Sequence, residues 1–246
     1  MTATRVRVQL RDDRVAVPEL RAGDALVPRI LDVEGRRIRI ALVGRCATLL
    51  AGDRVEVAVA VGPGVELELV EPSGTVAYDG RGAPASWAAR IEVGPGGALL
   101  WNAAPFVIAR GADVPRDLHV DLADGAFALL SELLVLGRSG EAGGALLARQ
   151  RVHRAGRPLL VEDLDLRDAV LRALPGVLGQ ERVLGSVALL GLRPEHIPGP
   201  HATPLAGPGA LARVLAPAVH CAQPVVEAFW REWRGLVQAA GTSTGS

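Results

Sequence analysis

The residues of this chain best suited to chemistry are carboxylates. Glu132 stands inside the otherwise apolar run Phe127-Ala-Leu-Leu-Ser-Glu-Leu-Leu-Val-Leu. A carboxylate in such a run is expensive unless it is paired, hydrogen-bonded or turned toward water. Glu162 lies in a second apolar segment, Leu159-Leu-Val-Glu-Asp-Leu-Asp-Leu; Asp53 closes the turn Ala51-Gly-Asp, and Glu141 follows Gly140. Oxygen ligands spaced along a wet internal passage suit transient, weak handling of a divalent cation. The plainer alternative is that Asp53 caps its turn while Glu132 and Glu162 pair with arginines.

The histidines and cysteines are less organised. His196 and His201 bracket Ile-Pro-Gly-Pro, and with no third ligand the pair reads as a solvated loop. His119 sits in an alternating segment and is expected to face water, while His153 and His220 have no evident partner in the sequence. Cys46 and Cys221 match no zinc or redox spacing, so both are expected to be buried free thiols. The chain has no Gly-x-x-x-x-Gly-Lys-Ser/Thr loop and no Cys-x-x-Cys, and its Gly-x-Ser-x-Gly match, Gly241-Thr-Ser-Thr-Gly245, falls in the expected tail rather than at a strand-to-helix elbow. Its Gly-rich turns precede strands rather than helices and so lack the helix N-terminus that a phosphate needs. The reading is a chain that is not an enzyme and holds no cofactor tightly.

The elements that must position these groups are mostly strands. Arg5–Leu10, Arg37–Leu42, Arg54–Val61, Val65–Val70, Ala89–Val93, Leu118–Leu122 and Leu159–Leu166 alternate polar and apolar residues, the period of a strand with one buried face. Turn signals divide them, among them Gly62-Pro-Gly, Gly94-Pro-Gly-Gly, Ala123-Asp-Gly and Ala155-Gly-Arg-Pro. Three of these turns follow Val61, Val93 and Leu122, a spacing of roughly thirty residues that suits stacked β coils. Short helices are expected over Arg167–Leu174 and Ala210–Ala216. A longer one is expected over Val225–Val237, where Val226, Phe229, Trp230, Trp233 and Val237 share a face. The fold class is therefore mainly β, built of stacked or coiled sheets that are solenoid- or sandwich-like, with a small C-terminal helical part. One domain is expected: a β-rich scaffold over 1–165, a mixed helical and strand part over 166–240, and a disordered tail over 241–246.

Composition bounds the rest. Hydrophobic residues make up 49% of the sequence but aromatics only 3%, so the core must be built from Val, Leu, Ala and Ile. The 27 basic and 27 acidic residues cancel, and no Lys/Arg run creates the local field a nucleic acid or anionic membrane would need. The first residues lack the apolar run of about 7–15 residues of a signal peptide, and no stretch approaches the ~20 apolar residues of a membrane helix. A cytoplasmic location is expected.

Taken in order, several segments resemble the urease accessory protein UreD (UreH) family. Leu49-Leu-Ala-Gly-Asp-Arg-Val-Glu-Val is similar to its Gly-Gly-Asp strand-turn, and Glu71-Pro-Ser-Gly-Thr-Val-Ala-Tyr to the stretch that follows the next strand. Gly97-Ala-Leu-Leu-Trp-Asn-Ala-Ala-Pro-Phe-Val-Ile resembles a further segment, as does the run from Gly125 through Leu136-Gly-Arg-Ser-Gly-Glu141. Arg157-Pro-Leu-Leu-Val-Glu and Trp230-Arg-Glu-Trp-Arg complete the series. The chain departs from the pattern at Ala51, where a glycine is usual, at the missing lysine before Tyr78, and at Asn102-Ala-Ala.

The resemblance implies an elongated fold of coiled sheets and a scaffold for urease maturation. It implies partners in UreF, the GTPase UreG and apo-urease, the GTP chemistry then belonging to UreG. It also implies an internal water-filled path for nickel, with Asp53, Glu132 and Glu162, and more weakly Glu141, guiding the ion without holding it tightly. The alternative from another class is an all-β small-molecule or metal binding module, cupin-like and unrelated to urease.

Overall fold

The alternating segments fold as strands because a two-residue period gives each one apolar face, and two sheets can bury those faces against each other. The architecture was obtained as a computed structural model that describes residues 2–45, 48–197 and 199–243. In chain order the strands are β1 (Thr4–Arg11), β2 (Arg14–Arg21), β3 (Leu26–Glu34), β4 (Arg37–Gly44), β5 (Thr48–Leu49) and β6 (Arg54–Val61). Next come β7 (Glu66–Val70), β8 (Thr75–Ala77), β9 (Ser86–Val93), β10 (Ala98–Asn102), β11 (Phe106–Ile108) and β12 (Asp113–Leu122). After these follow β13 (Phe127–Leu136), β14 (Ala145–Arg154) and β15 (Arg157–Asp165), then the one-turn helix α1 (Ala169–Arg172). The chain closes with β16 (Val183–Leu190), β17 (Ala202–Pro204), β18 (Gly209–Ala216) and the helix α2 (Val219–Ser243).

Two sheets result. The first has seven strands in the order β15-β14-β12-β9-β6-β1-β2. The second follows β17-β18-β16-β13-β10-β7-β4-β3, with β5, β8 and β11 extending it beside β13. The middle of each is a parallel stack: β6, β9, β12 and β14 in the first, and β4, β7, β10 and β13 in the second. The connections are not helices. Each coil runs up one sheet, turns at Gly62–Val65, Gly94–Gly97 or Ala123–Ala126, and continues in the other sheet. These are the three turns of the roughly thirty-residue echo, and Gly64, Gly96 and Gly125 take left-handed φ values of 65°, 64° and 69° that favour glycine. Backbone bonds join the turns into a ladder, Gly94 N to Val61 O at 2.8 Å and Ala123 N to Val93 O at 2.9 Å.

The core has two layers. Val57, Ile91, Val120 and Val152 of the first sheet meet Leu67, Leu69, Leu99 and Ala128 of the second. On the far face of the second sheet, Leu100, Leu129, Val187 and Val214 pack against α2 through Val226, Phe229, Trp230, Trp233 and Val237. All five expected helix-face residues are buried, Trp233 completely. Because the second sheet is covered on both sides, β16 is buried at every position and reads as continuous apolar sequence.

Three expectations need correction. Ala210–Ala216 is strand β18, not a helix: it pairs antiparallel with β16 along its whole length, and tertiary pairing outweighs the helix propensity of Ala, Leu and Arg. The last helix also runs to Ser243, three residues into the segment expected to be disordered; residues 244–246 lie outside those described. Cys221 is exposed on α2 rather than buried, and Cys46 lies outside the described residues.

Candidate functional site

The second sheet is interrupted at one level. The strand β13 pairs with β10 as far as Asn102–Ser131, and resumes with β11 at Phe106–Leu134. Glu132 and Leu133 therefore stand opposite the non-strand link Ala103–Pro105. Strand parity turns Glu132 toward the first sheet, into a cavity of about 30 Å³, space for about two water molecules. Trp87, Trp101, Arg116, Gln150 and Ser186 line it as well.

Glu132 is the hub of this layer. Its Oε1 accepts from Gln150 Nε2 at 2.9 Å and from Ser186 Oγ at 3.3 Å. Its Oε2 lies 2.8 Å from Arg116 Nη1, both side chains being nearly buried. That approach is off the hydrogen-bond angle, and Arg116 Nε and Nη1 have no hydrogen-bond partner among the described residues. The guanidinium instead stacks over Trp87, 4.2 Å from the ring centroid, a cation–π contact in a desolvated setting.

Register extends the layer to the sheet edge. Glu132, Ser186 and Arg213 are cross-strand neighbours on β13, β16 and β18. Gln150 and Glu162 are neighbours on β14 and β15 of the facing sheet. Arg213 grips Glu162 with both nitrogens, Nη1 to Oε1 at 2.6 Å and Nη2 to Oε2, the two-pronged geometry that suits guanidinium to carboxylate. The structure thus brings Glu132 and Glu162 into one polar stripe through an apolar core, with Arg116 and Arg213 as counter-charges.

Glu71, a functional candidate that sequence reasoning missed although it opens the segment Glu71–Tyr78, borders this stripe. It sits in the break between β7 and β8, accepting from Trp101 Nε1 at 3.0 Å and Ala104 N at 3.2 Å. Burial pushes its pKa up, opposed by those hydrogen bonds and by Arg116. It also lines a surface groove of about 310 Å³ beside α2, shared with Asn102, Ser131, Gln223 and Glu227. Ala103 and Ser131 line both groove and cavity, so only the β10–β13 boundary divides them. The signal in the sequence was a glutamate directly before Pro72 at the end of an apolar strand.

Asp53 and Glu141 lie elsewhere. The Asp53 carboxylate accepts the backbone N–H of Leu50 at 2.8 Å and caps its turn. Glu141 binds Arg138 Nε at 2.9 Å and Nη2 at 3.0 Å and accepts the Arg138 backbone N–H at 2.9 Å. Those bonds hold its pKa down to about 2.

Residues 2–244 match the family model described as UreD urease accessory protein. It is 52% identical to urease accessory protein UreD 1 of Streptomyces griseus, over 88% of this chain and 85% of that protein. It is 36% identical to UreD 1 of Saccharopolyspora erythraea, over 96% and 92% of the two chains, and 32% identical to UreD 3 of Streptomyces griseus, over 92% and 94%. The chain belongs to the UreD urease accessory protein family.

In this UreD chain four of the segments that carry the resemblance converge on the polar layer. The Glu71 and Trp101 segments meet in the Trp101–Glu71 hydrogen bond. The Gly125–Glu141 and Arg157–Glu162 segments supply Glu132 and Glu162. A cupin-like enzyme would need three ligands converging in the interior. The three-ligand cluster among the described residues, His119, Asp121 and His153, lies on the outer face instead. His119 is half-exposed there, and His153, which showed no partner in the sequence, has Asp121 and the His119 ring beside it. His196, His201 and His220 are exposed. No helix of the described residues is long and apolar enough to cross a membrane.

Proposed function

We propose that this UreD chain is a non-catalytic urease maturation factor, a scaffold that binds apo-urease together with UreF and UreG and offers nickel a transient path through its polar layer. The observation that carries the reading is the Glu132 carboxylate, set with Gln150, Ser186 and Arg116 at a cavity inside an otherwise apolar core. The ion is cargo, so affinity must stay low. The lining offers carboxylate, amide and hydroxyl oxygens and, among the described residues, neither histidine nor cysteine. Oxygen donors of this kind bind first-row divalent ions less firmly than imidazole or thiolate does.

Two physical consequences follow from the dimensions. A cavity of about 30 Å³ is too small for an ion with a full water shell, so protein oxygens replace part of that shell. Arg116 competes with the cation for Glu132. Its stacking place on Trp87 lets it give way without losing every contact, and its return expels the ion. A carboxylate neutralised between passages does not become a trap.

The test is co-expression of urease and its other accessory proteins with this chain, without it, and with Glu132→Gln combined with Glu162→Gln. Urease activity and bound nickel are scored, with co-purification as the control for assembly. Both readouts fall without the chain, and they fall in the double variant although the complex still assembles. Full activity without the chain refutes the maturation role; full activity in an assembled double variant refutes the path alone.

A further inference from the structure

We infer that His119, Asp121 and His153 form an external site for a borderline divalent cation of the Ni²⁺ or Zn²⁺ kind. It lies on the solvent face of the seven-stranded sheet, and the inference does not rest on the interior path. β12 and β14 run parallel with Asp121 directly opposite His153, and His119, two residues earlier, projects from the same face. His119 Nε2 lies 3.0 Å from Asp121 Oδ2, and His153 Nδ1 lies 3.6 Å from Asp121 Oδ1. One ligand atom from each residue falls within 4.8 Å of the others.

These spacings are near what an ion demands. Metal–ligand bonds of about 2.0–2.2 Å place neighbouring donors roughly 3–3.5 Å apart in tetrahedral geometry. Two of the three edges are at or near that range, and the third closes by rotation of two partly exposed rings whose centroids are 5.4 Å apart. Two imidazoles and one carboxylate select Ni²⁺, Zn²⁺ or Cu²⁺ over Ca²⁺ and Mg²⁺, which prefer all-oxygen shells.

The surroundings agree with a cation. Glu92 is the cross-strand neighbour of Asp121 on β9 and adds negative charge. Arg151, opposite His119, is drawn away to Asp163 at 2.5 Å and to the carbonyls of Gln150 and Glu162. Arg90, the neighbour of His119 on β9, is the opposing charge, and Glu92 offsets it. Asp121 and Glu92 also line a surface cleft of about 440 Å³ at the strand ends, which leaves room for water or a further ligand at the open coordination positions. Three protein ligands with the rest open make an exchangeable site.

Equilibrium dialysis of the full chain against Ni²⁺ alone tests the inference. The wild type retains one Ni²⁺ more per chain than His119→Ala combined with His153→Ala, and His220→Ala, at an exposed position outside both sites, retains as much as the wild type. Asp121→Asn weakens the extra site by about tenfold or more. A readout on the unaltered protein guards against misfolding of the variants: Zn²⁺ slows modification of His119 and His153 by diethyl pyrocarbonate, while His196, His201 and His220 react at unchanged rates. Equal nickel in the wild type and the double histidine variant, or uniform reactivity of all five histidines with and without Zn²⁺, overturns the site and leaves adventitious binding only.

Discussion

Arg116 of β12 and Glu132 of β13 face each other across the inter-sheet core, with Nη1 2.8 Å from Oε2 and side-chain exposures of 6% and 12%. They are consecutive strands of one coil on opposite sheets, so the pair ties the coil across its own interior. Desolvating two charges offsets most of their mutual attraction, so the pair adds little net stability although breaking it is costly.

Glu132→Ala leaves Arg116 buried without its counter-charge and lowers unfolding stability by about 3–5 kcal/mol. Replacing Arg116 and Glu132 together by leucine costs less than Glu132→Ala alone, since volume is kept and no charge is stranded, although Gln150 and Ser186 lose their acceptor. Denaturant melts of Arg116→Leu, Glu132→Leu and the double leucine variant close a thermodynamic cycle that measures the coupling. Additive losses would show that the pair is not coupled.

Glu162→Gln, at the sheet edge, is milder. The Glu162–Arg213 contact is two-pronged, but its side chains are 24% and 32% exposed, so water compensates part of the loss. The change lowers stability by about 1 kcal/mol, and 0.5 M salt narrows its difference from the wild type, whereas salt leaves the Glu132→Ala difference largely intact. Melts at two ionic strengths separate the cases.

Low pH acts through acids held by neighbouring arginines. Hydrogen bonds from Arg138 hold Glu141 near pKa 2, against an ordinary value of 4.5, and those from Arg167 hold Asp165 near 2, against 3.8. Both folded values lie below the unfolded ones. The stabilisation is therefore fully present above about pH 5 and is lost as pH falls toward 2. Glu141→Gln combined with Asp165→Asn flattens the melting temperature against pH between 5 and 2. A slope equal to that of the wild type would exclude these pairs as its source.

Much of this was legible in the sequence, and the failures share a cause. All seven alternating segments are strands, because each lies with one face on the core and the other toward solvent or the helix layer. The thirty-residue echo was legible because the crossing turns need left-handed glycines. β16 and β18 were not: β16 is buried at every position, β18 alternates in burial but carries only one charged residue, Arg213, to mark it, and Ala-Leu-Ala-Arg-Val-Leu-Ala looks helical until its partner strand is known. In the polar layer, the oddity of Glu132 in an apolar run was visible, but its partners were not. Arg116 and Gln150 sit 16 and 18 residues away, and only the coil brings them opposite. The His119–Asp121–His153 cluster was hidden because cross-strand register between β12 and β14, not sequence spacing, assembles it.

Burial acts on Glu71 in the opposite sense to the arginine partners of Glu141 and Asp165. Its folded pKa is raised, with desolvation the largest cause, so the stability linked to it is full below about pH 4.5 and is lost as pH rises through the folded value. Glu71→Gln removes that dependence while giving up one acceptor, since both carboxylate oxygens are used, by Trp101 and Ala104. The variant therefore loses less stability than the wild type between pH 5 and pH 7, whatever its offset at pH 5. Denaturant midpoints at the two pH values decide it, and an unchanged difference would mean that Glu71 titrates normally.

Gly185 sets how closely α2 can lie on the second sheet. A Cβ built there would fall 2.6 Å from Val226 Cγ2 of α2 and 3.0 Å from Val214 Cγ1. Backbone strain is not the reason, because Gly185 lies in regular β16; the constraint is space alone. Gly185→Ala therefore pushes against the buried face that carries Phe229, Trp230 and Trp233, and overpacking of this kind costs about 1–3 kcal/mol. Val226→Ala removes the nearer clashing methyl, so the two substitutions together are less destabilising than their sum. The measurement is the stability of both single variants and the double variant, with tryptophan fluorescence reporting whether Trp233 stays buried. Simple additivity with unshifted emission would mean that the sheet, not the helix, yields to the new methyl.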